Sequence, residues 1–187
     1  MDLLKIAFSG IWLMLPALIP NPAAVLFGGG PPIDFGKCIG GRRILGDGKT
    51  WLGFIGGVCA GISFGIIMLL IAFQFDPHNL WGFKSVQTGI GVVSSLSVGS
   101  LLGDMGGSFI KRRLGIPRGA KAPGLDQYDF LVGSIVVILI FYPDWFISNF
   151  VADEHVLTLI TLIIIVPILH KIVNIIGYKI GKKNVPW

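Results

Sequence analysis

Three carboxylates and five cations share one polar stretch between two apolar runs. Leu101 to Asp129 reads LLGDMGGSFIKRRLGIPRGAKAPGLDQYD and carries Asp104, Asp126 and Asp129 with Lys111, Arg112, Arg113, Arg118 and Lys121. If residues 94–114 form one helix leaving a membrane, Asp104, Ser108 and Lys111 fall at i, i+4 and i+7 and share a face. Asp126 and Asp129 also share a face if a helix starts near Gly124. Carboxylate oxygens suit Mg2+, while Lys and Arg hold phosphate oxygens, so the set fits a metal-bound polyphosphate at a membrane surface. Plainer readings exist for each residue. Asp104 could be a helix-end carboxylate paired with a lysine, Asp126 an N-cap and Asp129 a first-turn acid at the positive end of a helix. The cations also serve as the orientation signal of an inner loop. Three independent caps explain the clustering less well than a shared ligand does.

A second polar stretch, Gly28 to Thr50, reads GGGPPIDFGKCIGGRRILGDGKT. Its Gly and Pro content predicts irregular or partly helical chain. It carries Lys37, Arg42, Arg43 and Lys49 with Asp34 and Asp47. The ending Gly46-Asp47-Gly48-Lys49-Thr50 is not a P-loop, because that pattern needs a glycine where Arg43 stands and no strand precedes it. A looser phosphate role remains: glycines expose backbone N–H groups, and a helix starting near Trp51 offers its positive end. On the residues alone, an ordinary basic inner loop is an equal reading.

The first of these stretches resembles the signature of the CTP-dependent CDP-lipid synthases (CDP-diacylglycerol synthases). Gly103-Asp104, Ser108, Lys111-Arg112, Lys121, Pro123-Gly124 and Asp126-Gln127-Tyr128-Asp129 match it in order. Gln127 stands where the pattern has Arg, and the segment between Pro-Gly and Asp is shorter. The short chain is similar to the archaeal branch, the CDP-archaeol synthases. The loop with Pro32-Ile33-Asp34-Phe35-Gly36-Lys37 and Arg42 through Trp51 is similar to that branch too.

The resemblance implies transfer of a cytidylyl group from CTP to a lipid phosphate, with release of pyrophosphate. It implies Asp104, Lys111, Asp126 and Asp129 as catalytic, with Asp104, Asp126 and Asp129 holding one or two Mg2+ ions. Lys37, Arg42, Arg43, Asp47, Gly48, Lys49, Thr50, Ser108, Arg112, Arg118 and Lys121 would bind the nucleotide and its phosphates. The partners implied are CTP, an isoprenoid ether-lipid phosphate (unsaturated archaetidic acid) and membrane lipids, with no nucleic acid. The lipid tails would lie in a groove lined by the first, second and fourth spans.

Composition sets the frame that must position these residues. A chain of 187 residues that is 53% hydrophobic and 13% charged, with mean hydropathy +0.79, reads as an integral membrane protein. The expected architecture is one all-α domain over 1–187 with five transmembrane helices, at about 3–27, 51–73, 85–103, 128–146 and 156–176. The basic loop follows the first run rather than preceding it, which favours a span over a signal peptide. Gly53, Gly57 and Gly61 form a small-residue packing face, and the Gly- and Ser-rich third span belongs inside the bundle. A kink is expected at Pro167, and His170 and Lys171 beyond it receive no role. Cys38 and Cys59 fit neither a zinc site nor a disulfide framework.

Net charge is +5, which in so apolar a chain points to anionic lipid or a phosphorylated substrate rather than nucleic acid. Lys and Arg concentrate in the two motif loops and the tail. The positive-inside rule then puts the N-terminus outside, and both loops and the C-terminus in the cytoplasm with CTP. A CTP-dependent polyprenol kinase is a rival with similar parts. A transporter would carry ionisable residues deep in its spans, which these lack. The Asp-Gly-x-x-Ala-Arg signature of CDP-alcohol phosphotransferases is absent.

Overall fold

Proline sets the first break in the chain. In the computed structural model, which describes residues 3–182, 185 and 186, helix α1 (Leu3–Leu18) gives way to α2 (Pro20–Phe27) at Ile19. Pro20 takes the first helical position, where its missing N–H is tolerated. It also leaves the carbonyl of Pro16 without a partner four residues on, and Ser97 Oγ donates to that carbonyl at 3.1 Å. Ser100 Oγ donates to the next one, Ala17 O, at 2.7 Å. Two serines of the third long helix thus lock the first one in place.

The loop after α2 is more ordered than its composition predicts. Strands β1 (Cys38–Ile39) and β2 (Arg42–Arg43) pair antiparallel, with Cys38 opposite Arg43. Gly40 and Gly41 turn between them at φ +58° and +73°, the two positive values a tight hairpin turn requires. Most of the loop is irregular, as expected, and to this the Gly-Gly pair adds one short hairpin in place of any helix.

Helix α3 (Trp51–Phe75) starts on Thr50, whose Oγ1 accepts from Gly53 N at 3.2 Å. Gly53, Gly57, Gly61 and Gly65 are all buried along one face. A methyl group on Gly57 would stand 2.7 Å from the Pro20 carbonyl, and one on Gly65 would stand 2.2 Å from Val93 Cγ1. The face therefore seats the α2 junction and α4 at backbone contact distance.

Helix α4 (Val86–Arg113) runs unbroken through the whole Asp104–Lys111 segment and well beyond the expected span end at 103. Helix α5 (Leu125–Phe141) begins on Gly124 and stops at Tyr142, where Pro143 opens the short α6 (Pro143–Phe150). The expected fourth span, 128–146, is corrected accordingly: it is two helices, because a proline cannot donate the next helical bond. Helix α7 (Val156–Lys179) passes through Pro167 without interruption.

Among the described residues, four stretches are long and apolar enough to cross a membrane: Leu4–Phe27, Trp51–Phe75, Val86–Arg113 and Asp153–Lys179. At 17 residues α5 is about 25 Å long, slightly short of the ~30 Å hydrocarbon layer. Leu13, Met68, Leu96, Ile138, Phe150 and Leu162 fill the bundle interior, whereas Ile67, Leu70, Ile164 and Ile168 stay exposed on its outside. Exposed aliphatic side chains in register along helices are what a lipid-facing surface needs.

The bundle has two unlike ends. At one, Trp145 Nε1 donates to Gly82 O at 2.9 Å, which joins α6 to the α3–α4 turn. At the other, the 28–50 loop meets the last turn of α4, the start of α5 and the end of α7.

Candidate active site

Asp34 organises the first loop. Its carboxylate accepts five hydrogen bonds: Gly36 N at 3.1 Å, Leu45 N and Gly46 N at 2.9 Å each, and Arg43 Nη2 and Nε at 2.7 and 3.2 Å. The side chain is 1% exposed. The Arg43 guanidinium holds this carboxyl well below the usual carboxylate range. Burial opposes the shift, and the Gly46, Leu45 and Gly36 amides add to it. Arg43 also reaches Asp47 Oδ1 at 2.5 Å.

The loop is then stitched to its neighbours. Ile33 N donates to Lys49 O at 2.8 Å, and Pro32 bridges Thr50, which fixes the backbone from which Lys49 projects. Arg113, at the end of α4, donates to the carbonyls of Ile39, Arg42 and Arg43 at 2.6, 3.0 and 2.6 Å. Arg42 Nη1 returns a bond to Arg113 O at 2.8 Å.

Lys49, so placed, pairs with Asp104 Oδ2 on α4. A second pair lies beside it, with Lys111 Nζ 2.6 Å from Asp126 Oδ1. The other Asp126 oxygen accepts from Ala122 N at 2.7 Å. Glycines bring α5 close enough for this. A methyl group on Gly103 would stand 2.1 Å from the Asp129 carbonyl oxygen, and one on Gly107 would stand 2.2 Å from Asp129 Oδ2. Gly133 answers from α5, where a methyl group would meet Gly103 Cα at 2.4 Å. The backbones of α4 and α5 therefore touch, and Asp129 lies directly over the turn that follows Asp104.

Lys49, Asp104, Lys111, Asp126 and Asp129 line one cavity of about 180 Å³. Helix α7 adds His170 and Asn174, of which Asn174 is 3% exposed, and Gly119, Ala120 and Val185 complete the lining. The other residues expected at the site do not line this cavity. Ser108 shares α4 with Asp104 and Lys111 but is buried. Thr50 caps α3, and its Oγ1 also accepts from Gly29 N. Arg43 and Asp47 bind each other, and Arg42 binds the end of α4. Gly48 packs beside the Arg118 guanidinium, and Lys37, Arg118 and Lys121 are exposed. Arg112 carries a buried Nε with no hydrogen-bond partner among the described residues.

Among the described residues, no three His, Cys, Asp or Glu side chains stand close enough to hold a metal by themselves. This departs from the expected three-aspartate ligand set, because Asp126 is turned to Lys111 and the Ala122 amide. Asp104 and Asp129 remain as two carboxylates on one cavity, each within electrostatic reach of the other. That pair fits Mg2+, which binds through one or two carboxylates together with waters and substrate phosphates rather than through an all-protein cage.

Sequence reasoning passed over two residues here. Arg113 looked like one more loop cation. Asn174 sits in a strongly apolar run, where a lone amide was the available signal.

The fold and site together define a multi-pass helical membrane enzyme whose Lys49–Asp104 and Lys111–Asp126 pairs meet at one end. The family model for CarS-like proteins, described as CDP-archaeol synthase, matches residues 3–187, and the chain belongs to that family. A CDP-archaeol synthase of Methanocorpusculum labreanum is 50% identical over 181 residues, covering 93% of this chain and 100% of that protein. One of Picrophilus torridus is 43% identical over 190 residues, covering 100% of this chain and 99% of that protein. A solved structure of an intramembrane enzyme for archaeal membrane lipids biosynthesis aligns with a TM-score of 0.61 and 37% identity, over 83% of this chain and 92% of that one.

Proposed function

We propose that the protein transfers the cytidylyl group of CTP to unsaturated archaetidic acid, making the CDP-archaeol precursor of ether phospholipids and releasing pyrophosphate. The observation that carries this reading is the pairing of Lys49 with Asp104 and of Lys111 with Asp126 around one cavity that Asp129 also lines.

The nucleophile is an oxygen of the lipid phosphate monoester. It bonds to the α-phosphorus of CTP while the bridging bond to the β-phosphate breaks, and pyrophosphate leaves with the electron pair. A monoester carries about −1.5 to −2 charges near neutral pH and needs no strong base. It needs its charge matched and its approach aligned. Lys49 and Lys111 supply ammonium groups for phosphate oxygens, and Asp104 and Asp126 hold those groups in place before substrate arrives. Mg2+, when bound by Asp104 and Asp129, would neutralise the phosphates that must meet. Arg118, Lys121, Arg112 and Lys37 form the basic surround that draws in a polyanion.

The helices support five crossings with the N-terminus outside. The first turn of α5 lies at the cavity end, whereas α6, which follows it directly, is bonded to the α3–α4 turn at the far end. Its length matches a slightly thinned bilayer. The basic loops cluster at the cavity end, which the positive-inside rule assigns to the cytoplasm.

Product analysis tests the proposal. Purified protein receives Mg2+, cytosine-labelled CTP and either an archaetidic-type acid, an ester phosphatidic acid or a polyprenol. Label should enter the lipid phase with equimolar pyrophosphate, most rapidly with the archaetidic acid. CDP appearing in water with no lipid label would instead establish a kinase, and no CTP consumption with any lipid would remove both readings.

A further inference from the structure

A second cavity lies at the other end of the bundle, where Gly82 accepts from Trp145. Its volume is about 450 Å³, against about 180 Å³ for the Asp104 cavity. Phe8, Trp12, Trp81, Asn149 and His155 line it. Trp12 meets the Trp81 ring edge to face, with centroids 5.1 Å apart, and Phe75 stacks on Trp81 at 6.1 Å. Phe8 is 67% exposed and Phe75 72%, so this aromatic wall runs out onto the lipid-facing surface. Asp76 holds the wall in shape: Oδ2 accepts from Trp81 N at 2.8 Å, and Oδ1 accepts from Asn79 N at 3.4 Å. Trp81 takes φ +47° there, a value that bulky residues rarely adopt.

Two polar atoms of the lining residues are buried and have no hydrogen-bond partner among the described residues: Trp12 Nε1 and His155 Nδ1. Such orphans are rare, because each costs free energy until a partner arrives. A tryptophan that serves only as an interfacial anchor keeps its N–H at the wet headgroup level, and Trp12 does not. That N–H can only donate. Asn149 brings an acceptor. Its Nδ2 donates to the Trp145 carbonyl at 2.8 Å, which fixes the amide with Oδ1 at the other end. A methyl group on Gly82 would stand 3.2 Å from that Oδ1 and 3.3 Å from Leu13 Cδ1, two more residues of the lining. Donor and acceptor in one cavity suit hydroxyl groups, which do both. Phosphate oxygens alone would leave Asn149 unmatched, and hydrocarbon alone would leave Trp12 unmatched. Lys5 adds an ammonium group to the lining, which suits a phosphate.

We propose that this cavity binds an anionic phospholipid with a hydroxylated, glycerol-type head group, drawn from the bilayer leaflet opposite the Asp104 cavity. Head-group hydroxyls accept from Trp12 Nε1 and donate to Asn149 Oδ1. His155 Nδ1, which can do either, completes the head-group contacts. Lys5 meets the phosphate, and the chains leave along Phe8, Trp81 and Phe75. The site is separate from the one proposed for cytidylyl transfer and stands whether or not that reaction is the right one.

The test titrates the full chain, purified in an amine-oxide detergent that has no head-group hydroxyls, with short-chain phosphatidylglycerol or with phosphatidylmethanol of the same chains. The two lipids carry the same charge and differ in the head-group hydroxyls. Kd is read from the saturable rise in Tm that each lipid gives. Wild type should bind phosphatidylglycerol roughly tenfold more tightly, the order expected for one or two hydrogen bonds. Trp12→Phe keeps an aromatic ring without the N–H and should lose most of that preference. His155→Phe should weaken phosphatidylglycerol and leave phosphatidylmethanol near its wild-type Kd. Asp104→Asn, at the far end, should change neither. Equal affinity for the two lipids in wild type would overturn the proposal and leave a plain apolar groove. No saturable binding of either would overturn it too, leaving a water-filled void. An unchanged preference in Trp12→Phe, or its loss in Asp104→Asn, would place the lipid elsewhere. If Trp12→Phe does not purify folded, His155→Phe and the comparison of the two lipids decide.

Discussion

The hydroxyl of Tyr128 donates a 2.7 Å hydrogen bond to the carbonyl of Ile163. That carbonyl is the one Pro167 leaves without its helical partner four residues on. The bond ties the first turns of α5, between Asp126 and Asp129, to α7 just before His170. Ser97 does the same for Pro16 across from Pro20. Tyr128→Phe keeps the ring and removes only this bond. It should cost about 1 kcal/mol of stability and lower kcat/KM more than that loss of stability would explain. Thermal unfolding beside steady-state kinetics checks it; unchanged kinetics would mean that packing alone holds α7.

Adjacent glycines on α4 should respond in opposite ways. Gly107→Ala puts a methyl group where Asp129 Oδ2 now sits, so the carboxylate must move. Displacing a reacting group by about 1 Å can cost on the order of 100-fold in rate. A methyl group on Gly106 meets nothing within 4 Å, so Gly106→Ala should keep full activity and gain up to about 1 kcal/mol from helix propensity. Equal activity in the two variants would contradict the close approach of Asp129 to Gly107.

Asp104→Asn removes a charge that Lys49 and Mg2+ share in the proposed mechanism. Turnover should fall at least about 100-fold at ordinary Mg2+ while the protein still purifies as a folded species. Chelation with EDTA should stop wild-type turnover, and added Mg2+ should restore it. Wild-type-like turnover in Asp104→Asn would refute the metal role of that residue.

Asp34 gives a pH signature to stability. Its folded pKa is depressed by Arg43, so its contribution is fully present above the ordinary carboxylate value of about 3.9. The contribution is lost as pH falls from there toward the lower folded value. Asp34→Asn should cost about 1.5–3 kcal/mol at pH 7, from charged hydrogen bonds made neutral. The gap from wild type should narrow near pH 3. A gap independent of pH would show that shape rather than charge sustains the loop.

Local rules made several parts of this molecule legible. Trp51 at the head of an apolar run marked the start of α3, and the Gly124 start placed Asp126 and Asp129 on one face. Unbroken helical spacing put Asp104 and Lys111 together. Long-range partners were not legible. Arg43 looks like a phosphate ligand until Asp34, nine residues earlier in sequence, is seen beneath it. Arg113 finds its acceptors 70 to 74 residues away. Pro143 could have signalled the end of α5, but an apolar run on both sides hid it. Which acids share a ligand and which neutralise lysines depends on how closely α4 and α5 pack, a property of Gly103, Gly107 and Gly133 together.

The five bonds at Asp34 and the three from Arg113 bear on what a substrate must do on arrival. A glycine-rich loop left loose would lose about 1–2 kcal/mol of backbone entropy per residue each time it closed on a ligand. Here that ordering happens once, when the chain folds. A nucleotide reaching this end of the bundle therefore meets a receptor already in shape. Its binding should resemble rigid docking, with a small heat-capacity change, and not the folding of a disordered segment around a guest.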